Sequence, residues 1–380
     1  MRAQLTASSS PRFVVVGGGV VGLAVALALR RRQAEVVLLE RSADCGQAAS
    51  AAAAGMLAVG AEATEPGPFM ELCRRSREMW SGWSEELLAL SQVDCELELC
   101  GLLRVASTEA GQLELARQRQ RHLQEGVRVS ELLDRGQLLG VLPGLGEQVQ
   151  AGLNYPDDGH VHSHRVVEAL LQACRRLGVE IRTGAEARSL RAAPGGVSVE
   201  LAQGGRLEGD AALVCAGAWS SALLPDLPQF GMEPVRGQML ACEPGRELLP
   251  TILFGEEGYL LQKRSGLLLA GSTEERAGFA PWPTMAGVAR LAEVAGRLLP
   301  DLAGVRFAGA WAGLRPRARA GLLAGRLDPD GKVLVATGHF RNGILLAPVT
   351  GELLARAAFA DEDPEELRPF SPRRPVPAES

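Results

Sequence analysis

Two sets of residues in this 380-residue sequence combine types and spacings that can do chemistry, and they lie near opposite ends of the chain. The first is GGGVVG at 17–22, which matches G-x-G-x-x-G between an apolar run, FVVV, and the helical pattern LAVALALRRR. Gly17 permits a tight turn, Gly19 lets backbone approach a pyrophosphate, and Gly22 lets the helix pack closely on the strand. The amides that open that helix would face an anion together with the positive end of the helix dipole. A second run, EVVLLE, ends in Glu40, eighteen residues beyond Gly22. A carboxylate there can accept hydrogen bonds from both ribose hydroxyls, which points to FAD or NAD rather than NADP. The second set is Arg315 in WAGLRP and Arg341 in HFRNG. A guanidinium is a planar fork of donors that matches the two oxygens of a carboxylate, although an arginine in so arginine-rich a chain is ordinarily a solvated surface group. Tyr259, one of two tyrosines, has a hydroxyl that can help hold the same carboxylate or simply pack in a core.

These residues need elements to position them. Residues 13–16 and 35–40 read as buried strands flanking the first helix. GDAALVCAGAWS (209–220) reads as another buried strand entering a glycine turn, and KVLVATGHFRNGILLAPVTGELLARAAF supplies one more strand, a glycine-flanked turn and a helix from near Pro348. A chain that returns three times to one sheet is an interrupted domain. The pieces 12–90, 150–225 and 325–362 are expected to form the nucleotide-binding domain, and 91–149 and 226–324 the second domain. GYLLQKRSGLLLAGST reads as an antiparallel hairpin. The segment CGQAASAAAAGML (45–57) has too little bulk for a core helix but lets backbone approach a flat ligand. Helices are expected near 70–90 and 109–123, and residues 1–11 and 366–380 as mobile tails.

Composition narrows the function. With 46% hydrophobic and 22% charged residues the chain can bury a large core, which excludes general disorder. A net charge of −5 gives no reason to expect a nucleic acid partner. The seven cysteines form no C-x-x-C pair and are odd in number, which fits free thiols in a reducing cytoplasm. Phe13 to Leu29 imitates a signal peptide or membrane span, but Gly17, Gly18, Gly19 and Gly22 interrupt it and three arginines close it. A buried strand, turn and helix explain it better, so no membrane association is expected. His160, His162 and His164 alternate and would share one face of a strand, yet no fourth ligand is apparent and His164 opens a helical pattern; no metal site is expected.

Four further segments, SAAAAGML (50–57), PDDGHV (156–161), WAGLRP (311–316) and GHFRNGILLAP (338–348), are more specific than the glycine fingerprint. Through them the sequence, from Phe13 to about Phe359, resembles the D-amino-acid oxidase family of FAD-dependent amine oxidases, and within it the glycine oxidase branch of the thiamine-biosynthesis type. The resemblance implies an α/β fold of two domains: a Rossmann-like FAD-binding domain and an interrupted second domain built on an antiparallel sheet. It implies FAD held without a covalent link, since HFRNGILL lacks the cysteine that attaches flavin in related sarcosine oxidases. Cofactor contacts are implied at Gly17, Gly19, Val20, Val21, Gly22, Glu40, Arg41, Ala49, Ser50, Ala54, Gly55, Met56 and Ala187, and at His339, Phe340, Arg341, Asn342, Gly343, Ile344 and Leu345. Arg315, Arg341 and Tyr259 are implied to bind the substrate carboxylate, with the flavin itself accepting hydride and no catalytic side chain required.

The implied reaction is oxidative deamination of glycine, sarcosine or small D-amino acids by dioxygen, giving an α-keto acid, ammonia and hydrogen peroxide, in a cytoplasmic homo-oligomer for which a tetramer is one expected form. The imine of glycine would feed thiazole assembly for thiamine. Alternatives are a catabolic oxidase or dehydrogenase of the same fold, a tRNA-modifying flavoprotein and a non-catalytic FAD-binding protein. Glu274 stands where better-known relatives carry Met, and Glu256-Glu257 is more acidic than their counterpart. These departures bear on substrate preference: a carboxylate near an amine pocket can select a secondary or larger amine, or it can face solvent.

Overall fold

The computed structural model describes residues 10–375 apart from 194, 225–226 and 329. Its organising layer is a six-stranded sheet in the order Leu323–Arg326, Val333–Thr337, Ala211–Val214, Arg12–Val16, Glu35–Leu39, Glu180–Arg182. All neighbours are parallel except the first pair. Buried on both faces, these strands are near-continuous Val, Leu and Ala runs rather than alternating ones, which is why they were visible in sequence. The helix Val20–Arg31 follows the first strand and is packed against the helix Ala347–Phe359. Their approach is close: a Cβ on Gly351 would come within 2.8 Å of the Ala24 carbonyl oxygen. A three-stranded antiparallel sheet, Ala187–Ala193, Gly196–Leu201 and Arg206–Gly209, lies beside this layer.

The second layer is an eight-stranded sheet in the order Arg306–Arg317, Glu233–Glu243, Leu268–Gly271, Tyr259–Gln262, Ile252–Phe254, Leu102–Ala106, Ala151–Tyr155, Leu133–Asp134. It is antiparallel except where Ile252–Phe254 runs parallel to Leu102–Ala106. Its longest ladder sets Val235 opposite Arg315 and Met239 opposite Trp311. The expected hairpin forms, with Tyr259 opposite Gly271.

Two expectations are corrected. Strand Ala151–Tyr155 belongs to this sheet, paired with Leu102–Ala106, although the boundary at 150 had assigned it to the nucleotide-binding part. A five-residue apolar strand carries no local mark of which sheet it joins. The stretch from 366 is not wholly a free tail: Leu367 and Phe370 are buried, Glu366 meets Arg75 and Arg356, and Arg374 donates to the carbonyls of Ala320 and Leu322. Residues 1–9 and 376–380 lie outside the described residues. The helix predicted near 70–90 spans Pro68–Ser91 and the one near 109–123 spans Glu109–Gln124, started by Thr108, whose hydroxyl accepts from the Gly111 amide. All seven thiols are free, and six are buried.

Candidate active site

A cavity runs between the two layers. One end is built from backbone. Gly17 has φ +110°, a conformation that strongly favours glycine, and a Cβ on it would collide with the Cys215 carbonyl. A Cβ on Gly22 would collide with the Gly17 carbonyl. Gly19 caps the helix without any side-chain hydrogen bond, so the positive helix end opens on the cavity, where the Val20 amide donates to Ser50 Oγ at 3.0 Å. The Glu40 carboxylate is fixed by two amides, with Gly18 N–H on Oε2 and Ser42 N–H on Oε1, both at 2.8 Å. Beside it the Arg41 guanidinium lies 3.6 Å from the ring centroid of Trp219.

The middle of the cavity is walled by the small-residue segment, which includes a one-turn helix, Ala49–Ala52. Gly55 adopts φ +86° and its carbonyl accepts from the Val161 amide at 2.9 Å. Lys263, buried, donates to the carbonyls of Ala54 and Val161 at 2.7 and 2.8 Å. Burial lowers its amine to about 7. Asp158, from the PDDGHV segment, accepts from the amides of Val59 and Gly60 at 3.1 and 2.9 Å and so braces the short helix Val59–Glu62. Burial pushes this carboxyl up to about 7.

The other end is built from side chains of four separate segments. Arg315 reaches from the edge strand, donating to the Thr273 carbonyl at 3.0 Å and to Ser272 Oγ at 2.8 Å. Arg341 projects from the turn after Val333–Thr337, and its Nε and Nη2 both donate to Glu62 Oε1, at 3.1 and 2.8 Å. Tyr259, 5% exposed, places its hydroxyl 3.4 Å from Met239 Sδ. Burial raises the phenol and opposes the charge on Arg315. At the turn, His339 is buried against Thr350 Oγ1 at 3.2 Å and burial holds it down to about 4, so it is neutral near pH 7.

Every residue expected at this site lines the cavity except Gly22, Asn342 and Leu345. Gly22 serves helix packing, as its position in the fingerprint required. Asn342 and Leu345 have structural partners of their own. Asn342 closes the turn, its amide donating to His339 O at 2.8 Å, and Leu345 is a core side chain whose carbonyl accepts from Ser76 and Trp80. Glu274 is largely solvent-facing and lies 3.5 Å from Arg317, Glu257 pairs with Arg297, and Glu256 holds the Ser107 amide and Thr108 hydroxyl. All three border a neighbouring recess that shares Tyr259, Ser272 and Arg341 with the main cavity. His160 turns toward Lys263 and Glu98, while His162 and His164 contact each other. Sequence reasoning missed Glu62, Met239, Ser272 and Trp219, none of which carries a local pattern; Lys263, one of two lysines, offered the single compositional hint.

A model of the family described as FAD dependent oxidoreductase matches residues 12–357. The chain belongs to this family. FAD is the cofactor of this oxidoreductase. It is 35% identical to a bifunctional ThiO/ThiG protein of Synechocystis over 95% of its own length, but spans only 53% of that relative. It is 31% identical to a glycine oxidase of Bacillus licheniformis, covering 90% of this chain and 91% of the relative. The crystal structure of the Geobacillus kaustophilus glycine oxidase superposes with a TM-score of 0.92 at 30% identity, covering 97% of this chain and all of that one. Among the described residues no helix is long and apolar enough to cross a membrane.

Proposed function

We propose that this oxidoreductase oxidises glycine and other small amines, sarcosine and small D-amino acids among them, to the imine, which water hydrolyses to the α-keto acid and ammonia, or methylamine in the case of sarcosine, with dioxygen as the final acceptor yielding hydrogen peroxide. The observation that carries the reading is the two-ended cavity: a nucleotide cradle of backbone amides at one end and two half-buried guanidiniums at the other. The similarity to glycine oxidases over nine-tenths of both chains supports the substrate class.

The residues present fit FAD. The helix start at Gly19–Val21, where the N-cap glycine brings no side chain, suits the pyrophosphate, Glu40 suits the ribose, and a cavity wall of Ala49–Met56 leaves room for a flat ring system. When bound, the flavin supplies the two-electron acceptor for the α-hydrogen. The chain's own part is positioning. Arg315 and Tyr259 hold the substrate carboxylate; the Arg315 fork is braced by Ser272 and Thr273, so its direction is set before substrate arrives. Main-chain groups near Gly343 and Ile344 line the far wall, where amides can stabilise negative charge.

Homo-oligomer formation belongs to the same reading, supported by exposed Phe279, Trp282, Met285 and Phe307. Delivery of the glycine imine to thiazole assembly is supported by the likeness to the ThiO/ThiG relative. The test is anaerobic mixing of the yellow protein with glycine, sarcosine and D-alanine. Flavin bleaching, with peroxide on readmission of air, is expected. Bleaching without peroxide would make the protein a dehydrogenase, and no bleaching by any of them would reject the reading.

A further inference from the structure

The substrate end of the cavity contains a protein carboxylate. Glu62 lines it, and its side chain is 9% exposed. The short helix that carries it is fixed from behind at three points: Asp158 holds the Val59 and Gly60 amides, Arg104 donates to the carbonyls of Gly60 and Ala61, and Gln118 donates to that of Gly60. The carboxylate therefore has little freedom to withdraw. Among the described residues it is hydrogen-bonded only through Oε1, by both donors of Arg341.

Charge counting then distinguishes the two guanidiniums. Arg315 is bound by a carbonyl and a hydroxyl and keeps its full charge for a ligand. Arg341 is already neutralised by Glu62. Two guanidiniums alone would suit a dianion; with Glu62 the three groups sum to one net positive charge. A carboxylate within a site of one net positive charge complements a ligand that carries both a carboxylate and an ammonium, and opposes a ligand with an acid at both ends.

Resting on the amine-oxidase reading, we propose that Glu62 is a specificity-determining residue that recognises the substrate ammonium, so that Arg315 is the principal carboxylate anchor and Arg341 chiefly orients Glu62. The carboxylate selects zwitterions at binding and stabilises the protonated amine, so substrate must lose a proton against its field before the α-hydrogen leaves.

The test compares glycine with propionate, which replaces the ammonium by a methyl group of similar size. Calorimetry on the anaerobic, dithionite-reduced holoenzyme measures both without turnover, because reduced flavin cannot oxidise glycine. Wild type should bind glycine about tenfold or more tighter than propionate, the worth of a charge-assisted hydrogen bond. Glu62→Gln should reduce that ratio at least about tenfold by weakening glycine and tightening propionate, and the pH at which half-maximal flavin reduction by glycine occurs should fall. A merely structural Glu62 would weaken both ligands together and leave their ratio and the pH profile unchanged, which would overturn the proposal. So would a wild type that prefers propionate, and this arm holds even if the variant loses flavin. Binding of neither ligand would instead reject the amine-oxidase reading of the site.

Discussion

The two ends of the cavity are made of different material. The nucleotide end consists of amides, carbonyls and missing Cβ atoms within Gly17–Gly22, with one carboxylate at Glu40. The substrate end consists of side chains from Glu62, Tyr259, Arg315 and Arg341, brought together by long-range topology. Backbone sites tolerate almost no change of residue and are recognised by spacing. Side-chain sites are adjustable, and their members are found only once the fold is known.

The strongest attack on this contrast is Gly22→Ala. Its Cβ would meet the Gly17 carbonyl, a backbone atom that cannot rotate away, so the turn must open. Purified protein should retain under about a tenth of wild-type flavin by absorbance, a cost of the size expected when backbone is strained. Full flavin occupancy would show that the turn is not built as described.

At the other end Tyr259→Phe should leave flavin content unchanged and raise the KM for glycine about tenfold, the lower value for a hydrogen bond to a charged carboxylate. Steady-state kinetics decide this, and an unchanged KM would assign Tyr259 to packing beside Met239 alone.

The buried ionisable groups give a prediction of intermediate size. His339 is held down to about 4 and His160 to about 3, each chiefly by burial, from an ordinary value of 6.5. Between about pH 4 and 6.5 the unfolded chain therefore binds two protons that the folded chain refuses, and stability rises with pH. Asp158 works in the opposite sense: pushed up to about 7 from 3.8, it keeps a proton in the folded state that the unfolded carboxyl loses, and its contribution is lost as pH rises toward 7. Two groups outweigh one, so Tm should climb from pH 4 to 6.5. In His339→Asn the climb should be shallower by up to about 1.4 kcal/mol per pH unit. An unchanged slope would mean that His339 is not buried neutral.

The smallest effect is expected at Glu274. Its side chain is 46% exposed and paired at 3.5 Å with Arg317 rather than directed into the cavity. Glu274→Met should alter the KM for glycine by less than about threefold. A larger change would extend the substrate end into the neighbouring recess.

The sequence was legible in proportion to this same contrast. The strand, turn and helix from Arg12 to Arg31, the acid at Glu40 and the hairpin around Tyr259 all follow from periodicities and glycines confined to short windows. Arg315 and Arg341 were found because family motifs surround them, not because an isolated arginine is informative. Glu62 was invisible: nothing in GMLAVGAEA separates it from a surface glutamate until Asp158 and Arg341 are seen to enclose it. Leu345, a buried side chain, shows a related limit: a motif marks a segment as important without showing which of its side chains face the cavity and which face the core. Strand Ala151–Tyr155 could not be assigned to its sheet because partner choice is a tertiary property.

The most direct test of the two-ended account is anaerobic rapid mixing of glycine with wild type and Arg315→Ala, following flavin absorbance. Wild type should bleach with a rate that saturates in glycine. Arg315→Ala should be equally yellow but bleach with a rate that remains linear in glycine to about a hundredfold higher concentration, the loss of a buried charge-assisted carboxylate contact. A variant that saturates like wild type, or one that cannot hold flavin, would contradict the division of the cavity into a backbone-built cofactor end and a side-chain-built substrate end.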